Sequence, residues 1–169
     1  MLDALEALPF VTIAALNGSV YGGATDLALC CDLRIGAPGC RMFMPAARFG
    51  LVYYAGGLRR YVSRLGLNAA KKLFLTAMTI EAEEMLRIGF LTEIVERDSL
   101  RERVNAVLEA VRQTEPVAVR TMKRHLNQIG EGRFDELTLR AANRESLGST
   151  RLRERLTRQL AGRRGSRTD

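Results

Sequence analysis

Phe10-Val11-Thr12-Ile13-Ala14-Ala15-Leu16-Asn17-Gly18 leads into Gly22-Gly23-Ala24-Thr25-Asp26-Leu27-Ala28-Leu29-Cys30-Cys31. The first stretch is a near-continuous apolar run rich in β-formers, which reads as a strand buried on both faces. Asn17-Gly18 ends it, and the glycine pair Gly22-Gly23 opens a short buried helix. This order has a chemical meaning. Glycines without Cβ let a ligand oxygen approach the backbone, and the first N–H groups of a helix have no internal acceptor and point at that oxygen. Such a turn can hold an oxyanion in acyl-transfer or enolate chemistry. A glycine pair that only supplies a turn of positive φ fits the same residues.

On the N-terminal side, Leu2, Leu5 and Leu8 share one face of a helix that Pro9 stops. On the C-terminal side, Asp32-Leu33-Arg34-Ile35-Gly36-Ala37 alternates like a strand, and Arg41-Met42-Phe43-Met44 forms another, stopped by Pro45. After Gly50, Gly56 and Gly57 the chain turns helical, over 58–65, 69–76 and 80–88. Thr92-Glu93-Ile94-Val95 is the last expected strand. Leu100, Val104, Val107, Leu108 and Val111 form one helical stripe. Val119, Met122, Leu126 and Ile129 form a second, behind Pro116 at a first-turn position. Helices are expected over 134–144 and 151–160, and fraying from Gly162 onward. The fold class is therefore α/β, a few strands followed by a helical C-terminal half. The division expected along the chain is a unit over 1–145 and a basic helix and tail over 146–169. An open sheet needs more strands than these, so the missing layer is expected from another chain or from the rest of a larger protein.

The 169 residues are 47% hydrophobic and 27% charged, which excludes wholesale disorder. No apolar run approaches the ~20 residues of a membrane span, and Asp3 and Glu6 stand where a secretory leader would be basic. Cys30, Cys31 and Cys40 are odd in number and have no second Cys/His group nearby, so they read as buried thiols of a reducing, cytoplasmic protein. Residues 151–169 hold seven arginines against Glu154 and Asp169, most of the chain's net charge of +7. Without interleaved aromatics this is a solvated helix face, and nucleic acid is not the expected partner.

The opening motif, together with Cys31-Asp32-Leu33-Arg34-Ile35, resembles the crotonase (enoyl-CoA hydratase/isomerase) superfamily, whose fold is ClpP/crotonase-like. Further matches follow in family order: Phe43-x-Pro45, Phe49-Gly50-Leu51, Gly56-Gly57-x-Arg59, Ala82-Glu83-Glu84 with Gly89-Phe90-Leu91, and Pro116-x-Ala118 with Lys123. The resemblance covers about residues 1–145. It implies a partial fold of the family, beginning just before one of its later strands, with half of the expected acyl-CoA site not encoded in these residues.

Carried over residue by residue, the resemblance places an oxyanion-hole N–H at Gly23, substrate contact at Gly22, and the first catalytic acid at Asp26. The family's second acid follows Pro45, where this chain has Ala46, and alanine transfers no proton. Arg48 and Tyr54 are nearby groups able to polarise a substrate, and Tyr54 is taken as substrate-binding. Asp26 has a second reading, because the helix dipole favours an acid in a first turn for purely structural reasons. His125, the only histidine, reads as surface or packing. Gln159 stands where the family has an aromatic over the acyl-CoA pocket, and Arg163 or Arg164 is a candidate for coenzyme phosphates. The resemblance implies a coenzyme A thioester as substrate, no permanently bound cofactor, no metal, and a homo-oligomer, trimer or hexamer. The expected function is enoyl-CoA hydratase/isomerase-like chemistry in fatty acid metabolism, with isomerisation favoured by the single acid. The alternative is a catalytically inactive oligomerisation or regulatory partner.

Overall fold

The computed structural model describes residues 1–165, and the side chains of Gln159 and of residues 161–165 are outside what it describes. The readings of Gln159, Arg163 and Arg164 therefore lie outside the described side chains. The chain divides into two compact units, one over Met1–Gly132 and one from Arg133 onward.

In the first unit, helix α1 (Leu2–Glu6) precedes strand β1 (Ile13–Leu16), strand β2 (Val20–Tyr21) and helix α2 (Gly23–Cys30). Strands β3 (Leu33–Gly36) and β4 (Arg41–Phe43) follow, then helices α3 (Ala55–Leu65) and α4 (Leu67–Thr76). Strand β5 (Ile80–Glu81), helix α5 (Ala82–Arg87), strand β6 (Glu93–Ile94) and helices α6 (Leu100–Arg112) and α7 (Pro116–Gly130) complete it. The second unit is a helix pair, α8 (Glu136–Gly148) packed on α9 (Thr150–Gly165).

Among the described residues two three-stranded sheets form, in the orders β1-β3-β6 and β2-β4-β5. β1 runs parallel to β3 with Ile13 opposite Leu33 and Leu16 opposite Gly36, and β6 runs parallel on the other side of β3. Parallel neighbours need a crossover, and α2 supplies it, so the glycine turn that starts α2 is fixed to the end of the sheet. The core gathers Leu29, Met42, Met44, Tyr61, Leu73, Met85, Phe90 and Leu91.

Several expectations are corrected. The strand of the opening run covers only Ile13–Leu16 and is not buried on both faces, since Ala15 is exposed and only Leu16 is buried. It lies at the edge of its sheet among the described residues, so one flank is uncovered. On α1 the buried residue is Glu6, because Arg60 and Arg64 both pair with it. Arg34 does not alternate outward. Its guanidinium is buried and donates to the carbonyls of Phe90 and Cys31. Cys30 and Cys40 are buried as expected, but Cys31 is half-buried. On α7 the apolar stripe is not the buried face. Met122, Leu126 and Ile129 are exposed, while Lys123 and His125 are buried. Lys123 Nζ donates to Asp32 Oδ2 at 2.7 Å and to Phe10 O at 2.9 Å, and Asp32 also accepts from Thr12, so α7 is seated by a polar clamp instead. α9 continues past Gly162 to Gly165, in keeping with the helix propensity of its arginines.

Candidate active site

Gly22 has φ 55° and caps the N-terminus of α2, a backbone conformation that only glycine adopts without strain. The turn is held on three sides. Gly22 N donates to Phe43 O at 3.0 Å, and Thr25 donates to Gly22 O through its backbone N–H at 3.0 Å and its hydroxyl at 2.6 Å. The Thr25 hydroxyl in turn accepts from Tyr61, whose phenol burial pushes upward in pKa. Gly23 is therefore the first residue of a rigidly placed helix, its N–H has no intrahelical acceptor, and a Cβ there would meet nothing within 4 Å.

Asp26 lies one turn further along α2 and is 0% exposed. Its two oxygens have separate partners. Oδ1 accepts from Arg60 Nη1 at 2.6 Å, and Oδ2 accepts from Tyr54 and, at 3.2 Å, from Tyr53. Arg60 has no exposed side-chain surface and serves three carboxylates, with Nη2 on Asp3 at 2.6 Å and Nε on Glu6 at 3.0 Å. Glu6 is shared with Arg64 at 2.8 Å. A buried carboxylate paired and hydrogen-bonded on both oxygens meets the condition under which burying its charge is tolerable.

The aromatic side of the site is close-packed. Tyr53 stands 4.9 Å from Tyr54 and 5.2 Å from Phe74, ring centre to ring centre. Gly57 makes room for it, since a Cβ there would fall 2.3 Å from Tyr53 Cε1 and 3.0 Å from Asp26 Oδ2. Burial and the Asp26 hydrogen bond push the Tyr54 phenol up to about 12, so it keeps its proton at neutral pH.

The structure thus brings Asp26 and Tyr54 into direct contact, with Gly22 and Gly23 on the helix that carries Asp26. Ala46 is buried and opens a 3-10 turn after Pro45, so the position holds a methyl group and no proton carrier. Arg48 is engaged elsewhere, donating to Ala77 O at 2.7 Å. His125 is buried on α7, with its Nε2 3.5 Å from Arg124 Nη2. Arg59, the arginine of the glycine motif, is on the surface near Glu131 and Asp3, and its neighbour Arg60 is the one that reaches Asp26. The signal for Arg60 was present in the sequence: Gly57, Arg60 and Tyr61 stand three and four residues apart, on one helix face, and all three are buried. The carboxylates that join it, Asp3 and Glu6, carry no such mark.

The sequence model of the family described as enoyl-CoA hydratase/isomerase matches residues 1–159. A short-chain-enoyl-CoA hydratase of Clostridium acetobutylicum is 35% identical over 124 residues, covering 73% of this chain and 48% of that protein. The chain thus spans about half the length of the curated relatives it matches first. Among solved structures, Pseudomonas aeruginosa DspI superimposes with a TM-score of 0.86 at 30% identity, over 95% of this chain and 62% of that one. A Thermobifida fusca protein solved in complex with CoA gives 0.76 at 31% identity, over 90% of this chain and 58% of that one. With the glycine turn, the helix it opens and the sheet beneath it in the family's order, the chain belongs to the enoyl-CoA hydratase/isomerase family, in the crotonase superfamily.

Proposed function

We propose that this chain acts on a coenzyme A thioester, with Gly23 N–H holding the thioester oxygen and Asp26 supplying acid–base chemistry at the end of α2. Gly22 and Tyr54 border the substrate. The observation that carries this reading is the clamped Gly22–Gly23 turn, which begins α2 with an N–H that has no intrahelical acceptor and a Cα whose Cβ direction is open, one helical turn from a buried carboxylate. A preorganised donor of this kind stabilises the charge that develops on a thioester oxygen as it becomes an enolate. Ala46 leaves Asp26 as the single carboxylate of the pair, which favours moving a double bond over adding water. No resident cofactor is needed for either step. The account extends to a cytoplasmic homo-oligomer, trimer or hexamer, supported by the exposed Phe49 (80%) and Val52 (87%) beside the site's aromatic segment.

Gly23→Pro tests the reading. Proline is favoured at the first position of a helix and lacks the N–H, and a Cβ there meets nothing within 4 Å. Calorimetric binding of a short acyl-CoA should persist, and its turnover should fall on the order of 10²–10³-fold, the usual cost of one oxyanion donor. Unchanged turnover would remove Gly23 from the site.

A further inference from the structure

We infer that the Tyr54 hydroxyl is the group through which Asp26 exchanges protons with the bound thioester. The inference rests on the acyl-CoA reading above and adds a route to it. Asp26 has no exposed surface, so its carboxylate cannot meet a substrate carbon directly. Any proton that reaches it passes through one of its three partners. Arg60 is fully buried, and a guanidinium keeps its protons in proteins. Tyr53 is half-buried, with its ring set between Tyr54 and Phe74. Tyr54 is 45% exposed, stands at the N-cap of α3, and donates to Asp26 Oδ2. A phenol both donates and accepts, so its oxygen can take one proton while passing its own to a neighbour.

The C–H bond α to the thioester breaks, its proton goes to the Tyr54 oxygen, and the electron pair moves into the thioester enolate held at Gly23 N–H. In the same event the original Tyr54 O–H bond breaks and that proton goes to Asp26 Oδ2. Asp26 becomes neutral, Tyr54 stays neutral, and the negative charge now resides on the enolate. Reversal at a different carbon of the enolate shifts the double bond. Arg60 Nη1 meets Asp26 only at Oδ1, which aims Oδ2 at the phenol, and it also donates to the Tyr54 oxygen at 3.4 Å, leaving that oxygen its second lone pair for the incoming proton. The burial-raised phenol keeps Tyr54 in the protonated state from which the relay starts.

The test uses the full chain and 3-butenoyl-CoA carrying tritium at the carbon next to the thioester, and follows release of the label into the solvent by scintillation counting, which reads equally in H2O and in D2O. The relay moves one solvent-exchangeable proton, that of Tyr54, while the C–H bond breaks, so washout is slower in D2O than in H2O. Direct abstraction by Asp26 moves none and gives no such effect. Tyr54→Phe should lower washout by about 10²-fold or more while calorimetric binding of the acyl-CoA is retained. Washout at the wild-type rate in Tyr54→Phe, parallel loss of binding and washout, or wild-type washout indifferent to D2O would each overturn the relay. The last is read on the unmodified protein and does not depend on the variant folding. Wild-type protein that binds no acyl-CoA and washes out no label overturns the underlying reading itself, a distinct result.

Discussion

Replacing Arg60 by methionine should be among the most damaging single changes in the chain, and its cost can be assigned to one carboxylate. Arg60 pairs with Asp3, Glu6 and Asp26 at 2.6, 3.0 and 2.6 Å. Asp3 is 65% exposed as a side chain and regains water when the guanidinium leaves. Glu6 keeps Arg64 at 2.8 Å. Asp26 has no solvent exposure and, among the described residues, no second cation, and only the two phenols remain on Oδ2. Leaving one partner of a buried pair uncompensated costs about 3–5 kcal/mol. Methionine fills most of the arginine stem's volume, so the cavity contribution is small. Urea denaturation of wild type, Arg60→Met, Asp26→Asn and the double variant forms a thermodynamic cycle. Because asparagine carries no charge, the double variant should recover at least about 2 kcal/mol relative to Arg60→Met. A loss below about 1 kcal/mol in Arg60→Met, the level of an exposed pair, would refute the reasoning, as would a double variant no more stable than the single one.

Gly57→Ala should destabilise by about 1–3 kcal/mol in the same denaturation assay, because its Cβ falls 2.3 Å from a Tyr53 ring already fixed by Phe74 and Tyr54; a neutral effect would mean the aromatic segment is free to move. Hydrogen bonds from Arg87 and Lys72 hold the Glu84 carboxyl down at about 2 from an ordinary 4.5, so its contribution to stability is complete above 4.5 and is lost as pH falls through about 2. Thermal melts across that window should therefore show a shallower acid limb for Glu84→Gln than for wild type, and identical limbs would contradict the assignment. Sedimentation at micromolar concentration should show trimers or larger species, and a monodisperse monomer would contradict the proposed assembly.

What the sequence discloses and what it hides follow from how each feature is encoded. β1, α2 and β3 were legible because a run of β-formers, a glycine pair and a buried helix leave local patterns that do not depend on distant residues. β2 and β5 are two-residue strands, too short to show any period, and exist only through their pairing with β4. The apolar period of α7 is real, yet its stripe is exposed, because Lys123 reaching Asp32 seats the helix by another face. At the site, Asp26 could be named from its place after the glycine pair. The network that holds it could not, since Arg60 meets Glu6 and Asp3 across 54 and 57 residues of chain. Nor does any one-dimensional pattern say that the carboxylate is sealed from solvent and that Tyr54 covers it.

The most direct test of the central claim, thioester enolate chemistry with a single carboxylate, is the product formed when the full chain is incubated with 3-butenoyl-CoA and followed by NMR. The account predicts crotonyl-CoA by double-bond shift, abolished in Asp26→Asn, with 3-hydroxybutyryl-CoA accumulating orders of magnitude more slowly because Ala46 offers no second acid. Rapid formation of 3-hydroxybutyryl-CoA as the main product, or conversion that survives in Asp26→Asn, would contradict it.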